Sequence, residues 1–589
     1  MKNRALLRIG VVVCSVAAGV AATPAAWACG GFFCNQPAPN QGPPIAQSGE
    51  NVVFVLDRDP LTGAGIVEAH VQIVYSGDVD KFSWVVPMTS LPKLSAGHDI
   101  LFQLLEPRTR PTFNLTWATE GTCKDSGGGG PGCGGAADSA PGGSSPPFDA
   151  AVRPGSGGVE VAFRGNVGPY ESAVVRSEDP AELERWLVAN QYFVSPEASK
   201  IIQQYVATGS YFVALRLQMG RTVNEIEPII LRLAAEEGCL PLKLTAIAAT
   251  PDVRVNIWVL GAGRAVPLNY TEVDLNLVKL DWFSGGGNYD RILSEAANEA
   301  GGNAFAIEYA QPAANAVSWF TLPANALTLL RSALNPADFW NVLRQLGLPL
   351  SGRVVGVLRT HIPEPATLIA QGVTEAQFYA SLPQFWTINQ GLFAPFDAAA
   401  AATAIDTEVL RPMSDLRALF ETHATLTRVA TFISPEEMTK DPLFVTNKTL
   451  PDVSNVHTAR AAVLCGDEDY NSCNAPVRLT VEGGGAVRFR PPVNTCNSPF
   501  SPPAYDRADL DATMPAAVRG WRRDPDGVGD VVLDNDTAIA RSLRGHNAAV
   551  GGDDGCGCAV AARKARQPLL WVATLAAACW FMLKRRARP

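Results

Sequence analysis

The stretch GIVEAHVQIVYSG (residues 65–77) alternates apolar and polar side chains with a period of two. In an extended chain Val67, Ala69, Val71 and Ile73 share one side, while Glu68, His70 and Gln72 share the other. A strand of this kind has one dry and one wet face. Upstream, NVVFVLD (51–57) is an apolar run joined to it through LTGAG (61–65). Downstream, KFSWVVPM (81–88) ends at a proline. Three strand-like segments in succession predict an antiparallel meander, with His70 as a cross-strand contact.

Working outward, a short helix is predicted over 99–105. DPAELERWLVANQY (179–192) sets Asp179 as a cap before Pro180, and SPEASKIIQQYVATG (195–209) repeats the device with Ser195 and Pro196. Further strands are expected in SYFVALRLQ (210–218), PLKLTAIAA (241–249) and DVRVNIWVLG (252–261), all rich in β-branched or aromatic residues. Helices are expected over 289–300, 325–334, 337–346 and 375–382. RLTVEGGGAVRFR (478–490) reads as a hairpin around a glycine turn. The fold class is α+β, an antiparallel β-rich body with interspersed helices. Residues 124–158, rich in Gly, Ser and Pro, carry too few apolar side chains to offset an ordering cost of about 1–2 kcal/mol per residue. They are expected to be a flexible loop. The expected division is an ectodomain over 29–460, a β-rich C-terminal segment over 461–540 and a stalk over 541–555.

Both ends carry targeting signals. Lys2, Arg4 and Arg8 precede an apolar run, and Ala26-Trp27-Ala28 offers a cleavage site, so residues 1–28 read as a signal peptide. Cleavage there exposes Cys29, an alternative lipid-attachment point. At the other end, residues 568–583 form a transmembrane helix of about 24 Å, against a hydrocarbon core of about 30 Å. Lys584, Arg585, Arg586 and Arg588 then hold that end in the cytoplasm. GCGC (555–558), the apolar run and the arginine cluster together resemble the MYXO-CTERM sorting signal of myxobacterial surface proteins. That resemblance implies a temporary membrane stop cut by a sorting protease, with Cys556 or Cys558 as the site of processing and lipid attachment. Arg563, Lys564 and Arg566 lengthen and charge the spacer relative to that signal.

Between these ends, residues 29–555 hold 38 Lys and Arg against 57 Asp and Glu, a net of −19. Phosphate binding needs clustered cations, so a nucleic-acid partner is excluded as an expectation. Eight cysteines (Cys29, Cys34, Cys123, Cys133, Cys239, Cys465, Cys473 and Cys496) are disulfide candidates in an oxidising compartment. Loop length favours 29–34, 123–133 and 465–473, leaving Cys239 with Cys496, although eight cysteines allow about 105 connectivities. Zinc is disfavoured by the lack of a CxxC and of paired histidines.

Several stretches are similar to a bacterial family known as domain of unknown function 2330. They are ACGGFFC (28–34), HVQIVYSGDVDKFSWVVPM (70–88), LFQLLEPRTRPTF (101–113) and LTRVATFISPEEMTKDPLFVTNKTLPDVSNVH (426–457). The likeness spans 28–460 and implies a secreted or surface-attached protein without transferable catalytic residues. In the first of these stretches Phe32 and Phe33 read as a hydrophobic plug under a disulfide.

No catalytic residue is assigned, because GxSxG, HExxH, GxxxxGK and GxGxxG are all missing. Glu436 and Glu437 after Ser434-Pro435 read as a helix start, and His457 as a structural histidine. Asp524, Asp526 and Asp530 in RRDPDGVGDVVLDND (522–536) offer oxygen ligands around two glycines, a calcium candidate. The stretch resembles one thrombospondin type 3 repeat unit, but it occurs once, with Val528 at a ligand position. The expectation is therefore an exported envelope or cell-surface protein of structural or binding type, its extracellular ligand unknown. The alternative is an extracellular hydrolase, which a cleft gathering Asp, Glu or His from distant segments would favour.

Overall fold

The structure, a computed structural model, describes residues 46–76, 83–123, 158–218, 227–466, 475–490, 505 and 507–550. The signal peptide, Cys29, Cys34, Cys133, Cys473, Cys496, residues 124–157, and the tail with Cys556, Cys558 and 568–583 lie outside the described residues. Among the described residues no helix is long and apolar enough to cross a membrane.

The first strands are β1 (Ala46–Arg58), β2 (Gly65–Ser76), β3 (Ser83–Met88), β4 (Lys93–Ala96) and β5 (Thr112–Gly121). Next come β6 (Val159–Val167), β7 (Tyr170–Ser177), β8 (Tyr211–Leu217), β9 (Ile229–Ala234) and β10 (Gly238–Cys239). They are followed by β11 (Ala249–Gly261), β12 (Arg264–Pro267), β13 (Thr271–Leu275), β14 (Ala304–Pro312), β15 (Thr425–Ile433) and β16 (Leu443–Asn447). The last are β17 (Val456–Gly466), β18 (Val477–Val481), β19 (Gly485–Phe489), β20 (Ala517–Arg522) and β21 (Asp530–Asp534).

A ten-stranded sheet in the order β21-β20-β13-β14-β15-β11-β1-β2-β9-β4 forms the spine. Most of its pairs are antiparallel, but β1 runs parallel to β11, and β13 parallel to β14. The β1–β2 hairpin pairs as the alternation predicts, Val53 opposite His70. The third segment of the expected meander does not join it. β2 takes β9 as its other neighbour, and β3 becomes the edge of a four-stranded sheet β3-β8-β7-β6. Pro87 accounts for this, since a residue without an N–H suits an edge strand and disrupts a central one.

Strand β1 is buried on both sides, and this stacks the layers. Val52 and Phe54 pack with Val67, Val71, Trp84, Val86 and Val213 between the two sheets. Val53 and Val55 point the other way, onto Ile100, Leu104, Phe339 and Leu358 of a helical layer. Beyond the smaller sheet, the helices Pro180–Ala189 and Pro196–Ala207 cover Val85, Val175 and Phe212. The order is thus helix, sheet, sheet, helix. Each buried side chain of this size contributes about 1.5–3 kcal/mol.

Asp179 and Ser195 cap those helices as expected, accepting from the N–H of Ala181 and Ala198. The hairpin β18–β19 is also where it was expected. PLKLTAIAA is not a strand: Leu242–Thr245 is one helical turn after Pro241, which sends Leu242 and Leu244 into different cores. The boundary at 460 falls inside β17, which pairs in parallel with β5. β20 and β21 extend the main sheet, so 461–540 is built into the body rather than appended to it. Residues 541–550, expected as stalk, complete the helix Asp536–Val550. His546 anchors it, buried between Asp509 at 2.8 Å and the Arg488 carbonyl at 2.7 Å.

Cys123 is disulfide-bonded to Cys465, 342 residues away, instead of to Cys133. The parallel β5–β17 pair brings the two together, Gly121 standing opposite Gly466. This overturns the local loops 123–133 and 465–473, which followed separation along the chain and missed the strand pairing. Cys239 has no disulfide partner among the described residues.

Candidate functional site

The wet face of β2 is roofed over rather than left in bulk water. Glu68, His70 and Gln72 form the floor of a cleft of about 920 Å³, continued by Ser95 on β4 and Ile230 on β9. One wall is the start of the helix Asp99–Thr109, with His98 and Asp99, and another is the helix Gly352–His361, with Arg353. Glu227, just before β9, and Glu408 close the remaining sides. Gly168, with φ +53°, turns the chain tightly at the rim, where a side chain would meet Ala96.

His70 is 2 % exposed, and its Nε2 lies 3.0 Å from Glu68 Oε1. Glu68 also accepts from Arg232 at 2.8 Å, and these partners, His70 foremost, hold its carboxyl down at about 2. Burial pushes His98 down to about 3, with Arg353 and His70 adding to the effect, so its imidazole is neutral near pH 7. Asp99 Oδ2 accepts from the Gly352 N–H at 3.1 Å and from Gln103 at 3.2 Å, while burial raises its pKa. Arg353 contacts Glu227 at 2.5 Å and Glu408 at 3.0 Å. Glu227 is pushed up to about 6, mainly by burial, with the charges of Asp99 and Glu408 adding to it against Arg353.

Four buried polar atoms on this lining have no partner among the described residues: Nδ1 of His70, Nδ1 of His98, Oδ1 of Asp99 and Nε of Arg353. Buried polar atoms are rarely left so, because an unmade hydrogen bond costs about 1–3 kcal/mol.

Gln72 links the cleft to a polar ladder across the sheet. Asn51 donates to Gln72 at 3.0 Å, Asn256 to Asn51 at 3.0 Å, and Arg428 to Asn256 at 3.2 Å. Arg428, fully buried, pairs with buried Glu308 at 2.6 Å and with Glu106 at 2.8 Å, under the Trp258 ring. A second groove of about 960 Å³, containing Trp340 and Phe102, shares Gln72 and Gln103 with the cleft.

The other sequence candidates lie elsewhere. His457 stacks on Phe113 with ring centres 5.6 Å apart. Glu437 accepts from the Ser434 N–H at 2.8 Å, the helix-start role expected for it. Asp524 and Asp526 sit in the β20–β21 turn and Asp530 opens β21; in the turn the Asp524 and Gly527 carbonyls accept from Asn447 and the Val528 carbonyl from Arg523. Among the described residues no three His, Cys, Asp or Glu side chains group to hold a metal ion.

Only His70 among the cleft residues was singled out from the sequence. His98, Asp99, Glu227, Arg353 and Glu408 come from separate segments that look ordinary locally. The available signal was Glu68 and His70, two apart on the polar side of an alternating strand.

A family model described as an uncharacterized protein conserved in bacteria matches residues 24–330, more than half of the chain. No curated protein and no solved structure matches. The matched span holds β1 to β14 and the floor of the cleft, and the chain belongs to the domain of unknown function 2330 family.

Proposed function

We propose that this is an exported protein, held at the cell envelope by a MYXO-CTERM-type sorting signal, which binds a small polar ligand in the His70–His98–Asp99 cleft. The carrying observation is that four buried polar atoms without partners among the described residues belong to the lining of one cavity of a size typical of ligand sites. The Cys123–Cys465 disulfide supports an oxidising, extracytoplasmic setting. The test of export and anchoring is mass spectrometry of the envelope form. A mature N-terminus near Cys29 and a C-terminus at Cys556 or Cys558 are expected; a C-terminal peptide still containing Trp580 and Phe581 eliminates cleavage of the tail. The test of binding is titration of His70→Asn and wild-type protein with envelope-derived small molecules, the variant losing at least tenfold in affinity.

A second reading, an extracellular hydrolase, is favoured by the convergence itself. Glu227 and Asp99 have raised pKa values suited to proton donors, and Glu68 orients His70 as it would a general base. Binding stands first because neither histidine's Nδ1 touches a Ser, Thr or Cys nucleophile among the described residues. A hydrolase here would act through an activated water. Turnover of an ester, amide or glycoside panel, abolished in Glu227→Gln, would put the hydrolase first.

A further inference from the structure

The charges in the cleft do not balance. Arg353 is the cation between Glu227 and Glu408, and Asp99 adds a third carboxylate beside it. Two helices of eleven and ten residues, Asp99–Thr109 and Gly352–His361, begin here. Their N-termini supply about half a positive charge each. Arg353 with these two ends offsets roughly two of the three carboxylates and leaves about one negative charge. Glu68 and Arg359 do not alter the count, because Arg232 pairs with Glu68 at 2.8 Å and Arg359 with Glu375 at 2.6 Å, and Asp415 on the lining is exposed to solvent.

An independent observation says what fills the gap. His98 is 9 % exposed and lines the cleft, and its Nδ1 has no partner among the described residues. Beside it, Asp99 Oδ1 is buried and likewise without a partner. A neutral imidazole nitrogen and two carboxylates make three acceptors, the number of N–H donors on a primary ammonium. Arg353 Nε is a buried donor with no hydrogen-bond acceptor, so the same ligand has a place for one oxygen near its ammonium. A phosphate or carboxylate would meet three carboxylates and a guanidinium already engaged by two of them.

We infer that the cleft binds a primary ammonium, held by His98, Asp99 and Glu227, on a ligand whose neighbouring hydroxyl or carbonyl oxygen faces Arg353. This deepens the binding proposal and rests on it. The chemistry is shared by amino sugars and by amino-acid amides.

The test is calorimetric titration of the protein, purified as its host makes it, with matched pairs of probes. One pair is glucosamine and N-acetylglucosamine; the other is lysine amide and its Nα,Nε-diacetyl derivative; inorganic phosphate is the anionic arm. Acetylation removes the charge and two of the three N–H donors and adds an acetyl group, leaving the rest of the probe unchanged. The expected result is a preference of about tenfold to a hundredfold for the free amine of at least one pair, the size of a charge-assisted hydrogen bond. The pair that shows it names the source. Asp99→Asn and Glu227→Gln are expected to lose that preference; Glu408→Gln, at a more exposed carboxylate, weakens it in a variant that keeps its fold. Equal or tighter binding of an acetylated probe, or of phosphate, overturns the ammonium inference and leaves a ligand cleft standing. An amine preference unchanged in all three variants overturns the site assignment. Binding of no probe sinks the ammonium inference, and the cleft proposal fails with it if the wild-type protein also binds none of the envelope-derived small molecules.

Discussion

Glu50 lies at the start of β1, where the chain turns its carboxyl into the core. It is 2 % exposed, and its partner Gln47 donates to it at 3.0 Å. Burial pushes its pKa from 4.5 to about 7, against the smaller opposing effects of Gln47 and Thr245. The difference between those values corresponds to about 3 kcal/mol. Below pH 4.5 the carboxyl is neutral in both the folded and the unfolded chain, and no penalty arises. Between pH 4.5 and about 7 the unfolded chain releases a proton that the folded chain keeps, so stability falls as pH rises. Above about 7 the loss is complete. Glu50→Gln preserves the shape and the Gln47 contact but never ionises. The variant should match the wild type near pH 4 and exceed it by about 3 kcal/mol near pH 8. Urea unfolding of both proteins at pH 4, 6 and 8 measures this. Glu227 shifts stability in the same direction and Glu68 in the opposite one, but both are common to the two proteins and cancel in the difference. A difference independent of pH would refute the buried-carboxyl reasoning.

Other outcomes follow from the same geometry. Arg428→Met should destabilise by about 3–5 kcal/mol by stripping Glu308 Oε2 of its buried partner and leaving Arg254, at 3.2 Å from the other oxygen, to balance the carboxylate, and Arg428→Met with Glu308→Gln should cost less than the two single changes summed, read by a double-mutant cycle in urea. Reduction, or Cys123→Ser, should cost about 2–4 kcal/mol, and non-reducing peptide maps should join the Cys123 and Cys465 peptides; a Cys123–Cys133 peptide would contradict the β5–β17 register. His457→Phe should leave ligand binding unchanged, since His457 stacks on Phe113 away from the cleft, whereas His70→Phe should abolish it in the same titration.

Much of the body was legible from local pattern. The alternation over 65–77 placed Val67, Val71 and Ile73 in the core and Glu68, His70 and Gln72 on the opposite face. The Asp179-Pro180 and Ser195-Pro196 starts were also readable, because a cap acts within three residues. What failed needed knowledge of partners. β3 reads as the next strand of a meander, yet Pro87 and the pairing of β2 with β9 send it to another sheet. The Leu242–Thr245 turn has the two-residue spacing of a strand and too few residues for a helical period to show. Cys123 and Cys465 are remote in sequence and adjacent only through a parallel strand pair. The cleft was hidden for the same reason: Glu227, Arg353 and Glu408 each belong to a different segment, and only the stacking of helices on the β2 face brings them to His70 and His98.

The central claim is that this roofed face of β2 is where the protein meets its ligand. Hydrogen–deuterium exchange of the intact protein, with and without the small-molecule fraction of its own envelope, tests it most directly. The account predicts protection concentrated in residues 94–103, 352–361 and 404–419, and loss of that protection in His70→Asn. Protection confined to the edge strand β21 or to the β5–β17 side, with these three segments unchanged, would contradict it.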